Sequence, residues 1–318
     1  MSMINRLAVM LLFGVTTNLS AAEELRIGMI GLDTSHVIAF TKAFNDPEAT
    51  GDLAEMRVVA GFPGGTDIPP SRDRVAGFTQ QLKEMGIEIV DSIPDLLSKV
   101  DVVLLESVDG RPHLEQARLV IEAGKPLFID KPVAGSLKDA VAIFRLAEKH
   151  DVPCFSSSSL RYVPEAIAYR NEKMAERVNG CVVWGPCSIQ PPMPDLFFYG
   201  VHGVEMLYTI MGTGCVSVTR SSTESTDVVT GVWQDGRIGT YRGLRSGKKS
   251  FGAVVFETDR IALIERSVGY QPLLDQIARF FKSGKAPVAA AETIEIFAFM
   301  EAADESKRLG GKPVQINP

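Results

Sequence analysis

Residues 26–36 read Arg26-Ile-Gly-Met-Ile-Gly31-Leu-Asp-Thr-Ser-His36, an apolar run that ends at a glycine. Apolar residues then return at helical spacing, with Val37, Phe40 and Phe44 on one face. The pattern predicts a strand, a tight turn and a helix. In such a turn, several backbone N–H groups and the positive end of the helix dipole point at one place, which suits a pyrophosphate.

The turn departs from the Gly-x-Gly-x-x-Gly pattern of dinucleotide sites. Its three glycine positions hold Gly31, Asp33 and His36, so only the first is kept. Asp33 adds a Cβ atom and a negative charge where a phosphate would approach. The stretch therefore fits a degraded dinucleotide site or an ordinary strand-to-helix turn. In the first case the cofactor-binding candidates are Gly31, Asp33, Thr34, Ser35 and His36.

Composition narrows the function classes. The chain has 318 residues, of which 45% are hydrophobic, enough for two domains with cores of their own. Its net charge is −6 and it contains no basic block, which argues against a nucleic-acid partner because such binding needs clustered Lys and Arg. A small-molecule ligand remains the expectation.

Residues 1–22 predict a secretory signal peptide. Arg6 precedes an apolar run at residues 7–15, and small residues at 20–22 favour cleavage after Ala22. The alternative is an uncleaved anchor, but the apolar run is short for a bilayer span. No paired arginines precede the run, so export in an unfolded state is expected. We therefore expect a periplasmic or secreted protein with no membrane attachment after cleavage.

The cysteines do not predict a metal site. An oxidising compartment permits disulfides, but Cys181 and Cys187 would lie roughly 20 Å apart on an extended strand, too far to pair. Cys154 lies in an apolar run and is expected to be a buried thiol. Whether any other two cysteines form a disulfide, including a pair with Cys215, stays open. No Cys-x-x-Cys motif or His/Cys cluster occurs, so we predict no metal.

Apolar runs alternate with helical patterns as far as residue 155, which predicts a doubly wound parallel sheet, a Rossmann-type α/β domain over residues 23–155. Ligands of such sheets bind at the carboxyl ends of the strands. Ser107, Asp130 and Pro132 fall there and join the cofactor-binding candidates. The runs that predict the later strands are residues 56–62, 88–90, 102–105, 126–129 and 152–155.

The second strand lacks the acid that usually holds the adenosine ribose of a dinucleotide. Residues 62–65 read Phe-Pro-Gly-Gly instead, and Asp67, Arg72 and Arg74 follow. Arginines near this point favour the 2′-phosphate of NADP. The equal alternative is that no ribose is recognised.

Residues 156–318 predict an α+β domain with a mostly antiparallel sheet. Asp235-Gly236 between two apolar segments predicts a hairpin. Helices are expected at residues 164–174 and 201–211, and two more close the chain.

This layout resembles the Gfo/Idh/MocA family, the glucose–fructose oxidoreductases and inositol dehydrogenases, over nearly the whole mature chain. The most specific similarity is Asp130-Lys131-Pro132 at a strand end, close to the family's Glu-Lys-Pro. Other similar segments are residues 101–113, 121–126, 161–164, 200–205 and 301–306.

The resemblance implies oxidation or reduction of a CH–OH group of a sugar or polyol with NAD or NADP. It implies that Lys131 orients the substrate hydroxyl and that His202 is the general acid/base. Glu205, one helical turn later, is expected to orient His202 or to hold substrate. Arg161 and Tyr162, at the start of the second domain, are candidate substrate contacts, as are Lys131 and His202.

The chemistry suits these residue types. Hydride leaves a carbinol carbon only as the hydroxyl proton departs, so a base with a pKa near neutrality is needed. An ammonium group stabilises the alkoxide that develops. The alternatives are that Lys131 is a surface lysine and that His202 caps its helix.

Three departures from the family pattern leave three functions open. The fingerprint is degraded, the ribose acid is absent, and Phe198 stands where the family often has an Asp. The first function is an exported NAD(P)-dependent oxidoreductase. The second is a lyase or epimerase that uses a bound cofactor without net redox. The third is a non-catalytic carbohydrate-binding protein. The resemblance also implies a homo-oligomer that pairs through the outer face of the second sheet.

Overall fold

A computed structural model describes residues 24–265 and 268–316 of the chain. The predicted signal peptide, residues 1–22, lies outside the described residues. Within them, no helix combines the length and apolar character that a bilayer crossing requires.

The first domain is built on six parallel strands in the order β3-β2-β1-β4-β5-β6. The predicted doubly wound sheet is confirmed. The strand order reverses between β1 and β4, and ligands of this fold class bind outside such a reversal. The strands are β1 Leu25–Ile30, β2 Met56–Phe62, β3 Glu88–Ile89, β4 Val102–Leu105, β5 Leu127–Ile129 and β6 Cys154–Ser156.

Helices connect these strands, and two of them begin at capping serines. The side chains of Ser92 and Ser136 accept hydrogen bonds from the backbone amides of Asp95 and Asp139, which satisfies a donor of the first turn. The helices are α1 His36–Phe44, α2 Pro69–Arg72, α3 Val75–Glu84, α4 Ile93–Lys99, α5 His113–Glu122 and α6 Leu137–Lys149, with a 3₁₀ turn at Gly51–Glu55.

The second domain has a seven-stranded sheet in the order β12-β11-β7-β10-β9-β8-β13. Of its described strand pairs, β10 with β7 is parallel and the others are antiparallel, as predicted. Gly236, with φ of +85°, makes the predicted hairpin turn. The strands are β7 Val178–Pro186, β8 Cys215–Ser222, β9 Thr226–Trp233, β10 Ile238–Leu244, β11 Gly252–Glu257, β12 Ile261–Ile264 and β13 Val314–Gln315.

One predicted helix is broken. Residues 164–174 were expected to form a single helix, but Asn171 is extended, with φ of −73° and ψ of 131°, and ends it. The helices of this half are α7 Pro164–Ile167, α8 Glu172–Ala175, α9 Val201–Met211, α10 Gln271–Ser283 and α11 Ala290–Arg308, with 3₁₀ turns at Ser159–Tyr162 and Ala168–Arg170. All four cysteines are free thiols, and Cys154 is only partly buried.

Helix α10 crosses the predicted domain boundary. It follows the second sheet in the chain, yet its apolar face packs in the core around β1. The ring of Phe280 lies 4.7 Å from that of Phe155. Lys282 Nζ lies 2.9 Å from Asp52 and 2.8 Å from Glu55. A boundary between residues 155 and 156 falls inside β6, and it does not separate the cores because α10 belongs to the first one.

Candidate active site

The turn after β1 is tightly packed. Gly31 has φ of +85°, and a Cβ atom there would lie 2.2 Å from Ser107 Oγ and 2.5 Å from Ser107 Cα. Its amide donates to the Phe62 carbonyl at 3.0 Å, and the Leu32 amide donates to the Pro63 carbonyl at 2.8 Å. The first fingerprint glycine is therefore required by the contact with Ser107.

Asp33 is tied into the protein interior. Its Oδ2 accepts from Ser71 Oγ at 2.5 Å and its Oδ1 accepts from the Val108 amide at 2.9 Å. Burial raises the pKa of this carboxyl group. The sequence suggested a negative charge facing a phosphate. The structure corrects this, because the side chain joins three segments of the protein instead.

Four polar side chains meet at the carboxyl ends of β1, β4 and β5. His36 Nδ1 lies 2.7 Å from Asp130 Oδ2, and Lys131 Nζ lies 3.3 Å from the same oxygen. Glu106 Oε2 is 3.9 Å from His36 Nδ1. Burial, then the charge of Asp130, raises the pKa of Glu106 well above its usual value. Burial would also raise the pKa of Asp130, but His36 and Lys131 outweigh it and hold that pKa low.

Sequence reasoning missed Glu106. The signal was a carboxylate directly after the continuous apolar run of β4, where a strand covered on both faces ends. His113, by contrast, has a structural role. Its ring nitrogens lie 2.8 Å from the Ser107 carbonyl and 3.2 Å from the Val133 carbonyl, and burial lowers its pKa. It thereby joins the loop after β4 to the loop after β5.

Lys131 and His202 come from different domains, and the charge of Lys131 acts on His202. Lys131 follows β5 and is 8% exposed, and its peptide bond to Pro132 is cis. His202 lies in the first turn of α9, where its Nδ1 is 2.7 Å from Ser158 Oγ. Burial, then the positive charge of Lys131, lowers the pKa of His202 well below its usual value. The imidazole is therefore neutral at neutral pH and able to accept a proton.

Glu205 and Arg161 form an internal network. Glu205 accepts from Ser157 Oγ at 2.7 Å, from the Ser158 amide at 2.8 Å and from Arg161 Nε at 2.9 Å. Arg161 also donates to Glu292 at 2.7 Å and is 3% exposed. Arg161 was expected to contact substrate, and this stays a prediction, although its guanidinium is already paired with Glu205 and Glu292. Glu205 reaches His202 only through Ser158, so it is a positioning group.

Tyr162 is also buried, in the core that joins β1 to α10. Its expected contact with substrate stays a prediction, because Tyr162 is 9% exposed and Lys131 is 8% exposed.

The loop of residues 63–74 lies against the turn after β1. Besides the Pro63 and Ser71 bonds, Asp67 pairs with Arg111, which also holds Asp109. Arg72 pairs with Asp73 at 2.8 Å, and Arg74 donates to the Pro70 carbonyl. Both arginines thus have partners within the protein, and the preference for a 2′-phosphate gains no support. The choice between NAD and NADP stays open.

Two parts of the candidate site fit a nicotinamide dinucleotide. The amides of residues 33–35 donate no hydrogen bond within the described part of the chain, and they precede the nine-residue helix α1. Such a group of N–H donors suits a pyrophosphate. Lys131 suits the nicotinamide end. The fit is poorest at the adenosine end, where no acid follows β2 and the loop of residues 63–74 covers the turn.

Comparison with known protein families finds one match, which covers part of the first domain. Residues 68–158 match the GFO_IDH_MocA family, described as an oxidoreductase family with an NAD-binding Rossmann fold. This segment of the chain is similar to that family. The match includes Asp130, Lys131 and Pro132 but begins after the Gly31 turn, and no curated protein sequence matches the chain.

Solved structures extend the likeness to the whole fold. A candidate myo-inositol dehydrogenase from Sinorhizobium meliloti has a TM-score of 0.74 at 15% identity, over 92% of this chain and 100% of the other. A candidate dehydrogenase from Thermotoga maritima has 0.71 at 18% identity, over 92% and 99%. Scyllo-inositol dehydrogenase from Lactobacillus casei, solved with NAD(H) and scyllo-inositol, has 0.71 at 13% identity, over 92% and 99%. At these identities the likeness establishes a shared fold.

Proposed function

We propose that the protein is an exported oxidoreductase that transfers hydride between NAD(P) and a CH–OH carbon of a sugar, polyol or derivative. The observation that carries this proposal is that Lys131 of the first domain lies close enough to His202 of the second for its charge to lower the pKa of that imidazole. Two findings support it. The family match includes Lys131, and a protein of the same fold was solved with NAD(H) and scyllo-inositol.

The bound cofactor would accept or donate the hydride, and the side chains would handle the proton. Neutral His202 would take the proton from the substrate hydroxyl in the oxidation direction. Ser158 engages its Nδ1, which leaves Nε2 as the nitrogen available to substrate. The Lys131 ammonium would stabilise the alkoxide as it develops. Glu205 would hold Ser158, and through it His202, in place.

The test is turnover of the purified protein with NAD and NADP on a panel of inositols and hexoses. We expect Lys131→Ala and His202→Ala to lower kcat by about 100-fold or more, since each removes a group that acts on the proton or the alkoxide. His150→Ala is the matched control, because His150 is exposed at the end of α6. Circular dichroism would verify folding. Unchanged rates in both variants would contradict the assignment of these residues.

The predicted signal peptide favours a redox-neutral reaction as the second candidate. Free nicotinamide cofactor is scarce outside the cytoplasm, so a cofactor held in place and regenerated within each turnover suits an exported protein. Transient oxidation of a sugar carbon acidifies the neighbouring C–H bond and permits elimination or epimerisation. Mass analysis of the product separates the two, because a lyase or epimerase leaves the overall oxidation level unchanged. Absence of saturable cofactor binding at millimolar concentration would favour carbohydrate binding without catalysis.

A further inference from the structure

Three side chains of the metal-ligating types converge at the strand-order reversal of the first sheet. His36 begins α1, Glu106 follows β4 and Asp130 follows β5. One ligand atom from each lies within 4.8 Å of the other two. Glu106 is fully buried, Asp130 is 2% exposed and His36 is 9% exposed. The three are distant in sequence, so a search for closely spaced ligands does not find them.

Three carboxylate oxygens of this cluster have no partner. Both Oε atoms of Glu106 and Oδ1 of Asp130 are buried without a hydrogen bond in the described part of the chain. Buried polar atoms are almost always satisfied, and an isolated buried carboxylate is costly. Lys131 does not relieve this, because its ammonium lies against the other oxygen of Asp130. A cation bound between these side chains would give the three oxygens a partner.

We propose that His36, Glu106 and Asp130 bind one divalent transition-metal ion such as Zn²⁺ or Mn²⁺. An imidazole nitrogen with two carboxylates is a borderline donor set that suits these ions better than Mg²⁺ or Ca²⁺, which prefer oxygen alone. His36 Nδ1 lies 2.7 Å from Asp130 Oδ2 and 3.9 Å from Glu106 Oε2. These distances bracket the separation of about 3.4 Å expected between two ligand atoms of a tetrahedral ion with 2.1 Å bonds.

The charge of the cluster also suits an ion with a free coordination position. Two carboxylates and the Lys131 ammonium sum to −1, and a divalent ion changes this to +1. A bound hydroxide or a deprotonated substrate oxygen would then neutralise the site. Three protein ligands with an open position are typical of catalytic metal centres. His36 and Lys131 retain the most exposure, so the open side would face the boundary between the domains.

The test measures metal binding without any cofactor, so its result is independent of the proposed function. The purified protein is stripped with EDTA, equilibrated with Zn²⁺ or Mn²⁺ and passed through a desalting column. Mass spectrometry of the metal should give about one equivalent per chain, and the metal should raise the melting temperature. Mn²⁺ binding would also broaden the electron paramagnetic resonance signal of the free ion.

Variants connect the ion to these ligands. His36→Ala and Glu106→Gln should lower metal affinity at least tenfold and abolish the thermal shift, whereas His150→Ala should behave as the wild type. Glu106→Gln is nearly isosteric and removes a buried charge, so the metal-free variant should melt at or above the wild-type temperature. That result separates loss of a ligand from misfolding. A metal-free wild type, or equal binding by Glu106→Gln, would overturn the proposal.

Discussion

Gly31 is the residue on which the turn after β1 depends. A side chain there would meet the backbone of Ser107 and force a left-handed conformation on a non-glycine residue. We expect Gly31→Ala to lower the free energy of unfolding by roughly 2–4 kcal/mol, the range of a strained and overpacked site. Urea unfolding followed by circular dichroism measures this change.

The control for that measurement is another glycine. Gly77 lies in α3, where an added Cβ atom would meet nothing within 4 Å. Gly77→Ala should raise stability by roughly 0.5–1 kcal/mol, since Ala is the better helix former. Equal effects of the two substitutions would mean that the contact with Ser107 is unimportant.

Individual residues were predictable where a motif fixed their place. Lys131 follows a strand within a motif and His202 begins a helix, and both lie at the domain boundary. The ion pairs of Arg161 were not predictable, because sequence cannot tell that two glutamates from remote helices reach it. Glu106 was missed because its partners are 70 and 24 residues away in the chain. Long-range pairing of this kind leaves no local pattern.

At the scale of elements, the loop of residues 63–74 controls access to the turn. On the exposed side, the ion pair of Asp67 with Arg111 holds the loop in place. On the buried side, a hydrogen bond from Ser71 to Asp33 does so. If a dinucleotide binds on this turn, the loop must move first. Asp67→Asn removes this ion pair and should therefore raise the association rate of NADH. We expect an increase of only roughly two- to fivefold, because an exposed ion pair contributes little to the stability of the closed loop.

Stopped-flow fluorescence of NADH measures that rate. Asp73→Asn is the control, because Asp73 pairs with Arg72 on the same loop but not with Arg111. Salt should raise the wild-type rate and leave the Asp67→Asn rate less affected, since screening weakens the pair. If neither the substitution nor salt changes the association rate, the ion pair of Asp67 with Arg111 does not limit binding of NADH.

Helices and strands were predictable where the hydrophobic pattern was long, and the predictions failed where tertiary packing decided the structure. Most strands of the first sheet are short apolar runs, and their alternation with helices predicts that they are parallel. The segment at 164–174 has helical composition, but Asn171 is extended and the chain turns there. Helix α10 was correctly recognised from its apolar stripe. Its docking on the first domain was not, because a stripe does not say which core it joins.

At the scale of the whole molecule, the second sheet leaves an apolar face uncovered. Large apolar side chains on five of its strands are exposed, among them Ile261 at 69% and Leu263 at 57%. The others are Val216, Val232, Ile238 and Phe256. A contiguous apolar surface of this kind usually marks an interface. The sequence-based expectation of a homo-oligomer through this face therefore stands as a proposal.

Light scattering after size exclusion tests it. We expect the wild type to elute at a multiple of the chain mass and Leu263→Glu to elute as a monomer, because a carboxylate in an apolar interface would lose its hydration without gaining a partner. Leu309→Glu is the control, since Leu309 is also exposed but follows α11 and is not part of a strand. A monomeric wild type, or identical masses for both variants, would show that another surface or none is used. An oligomer formed in this way would leave Lys131 and His202 on the opposite side of the second domain, with each protomer holding a complete site.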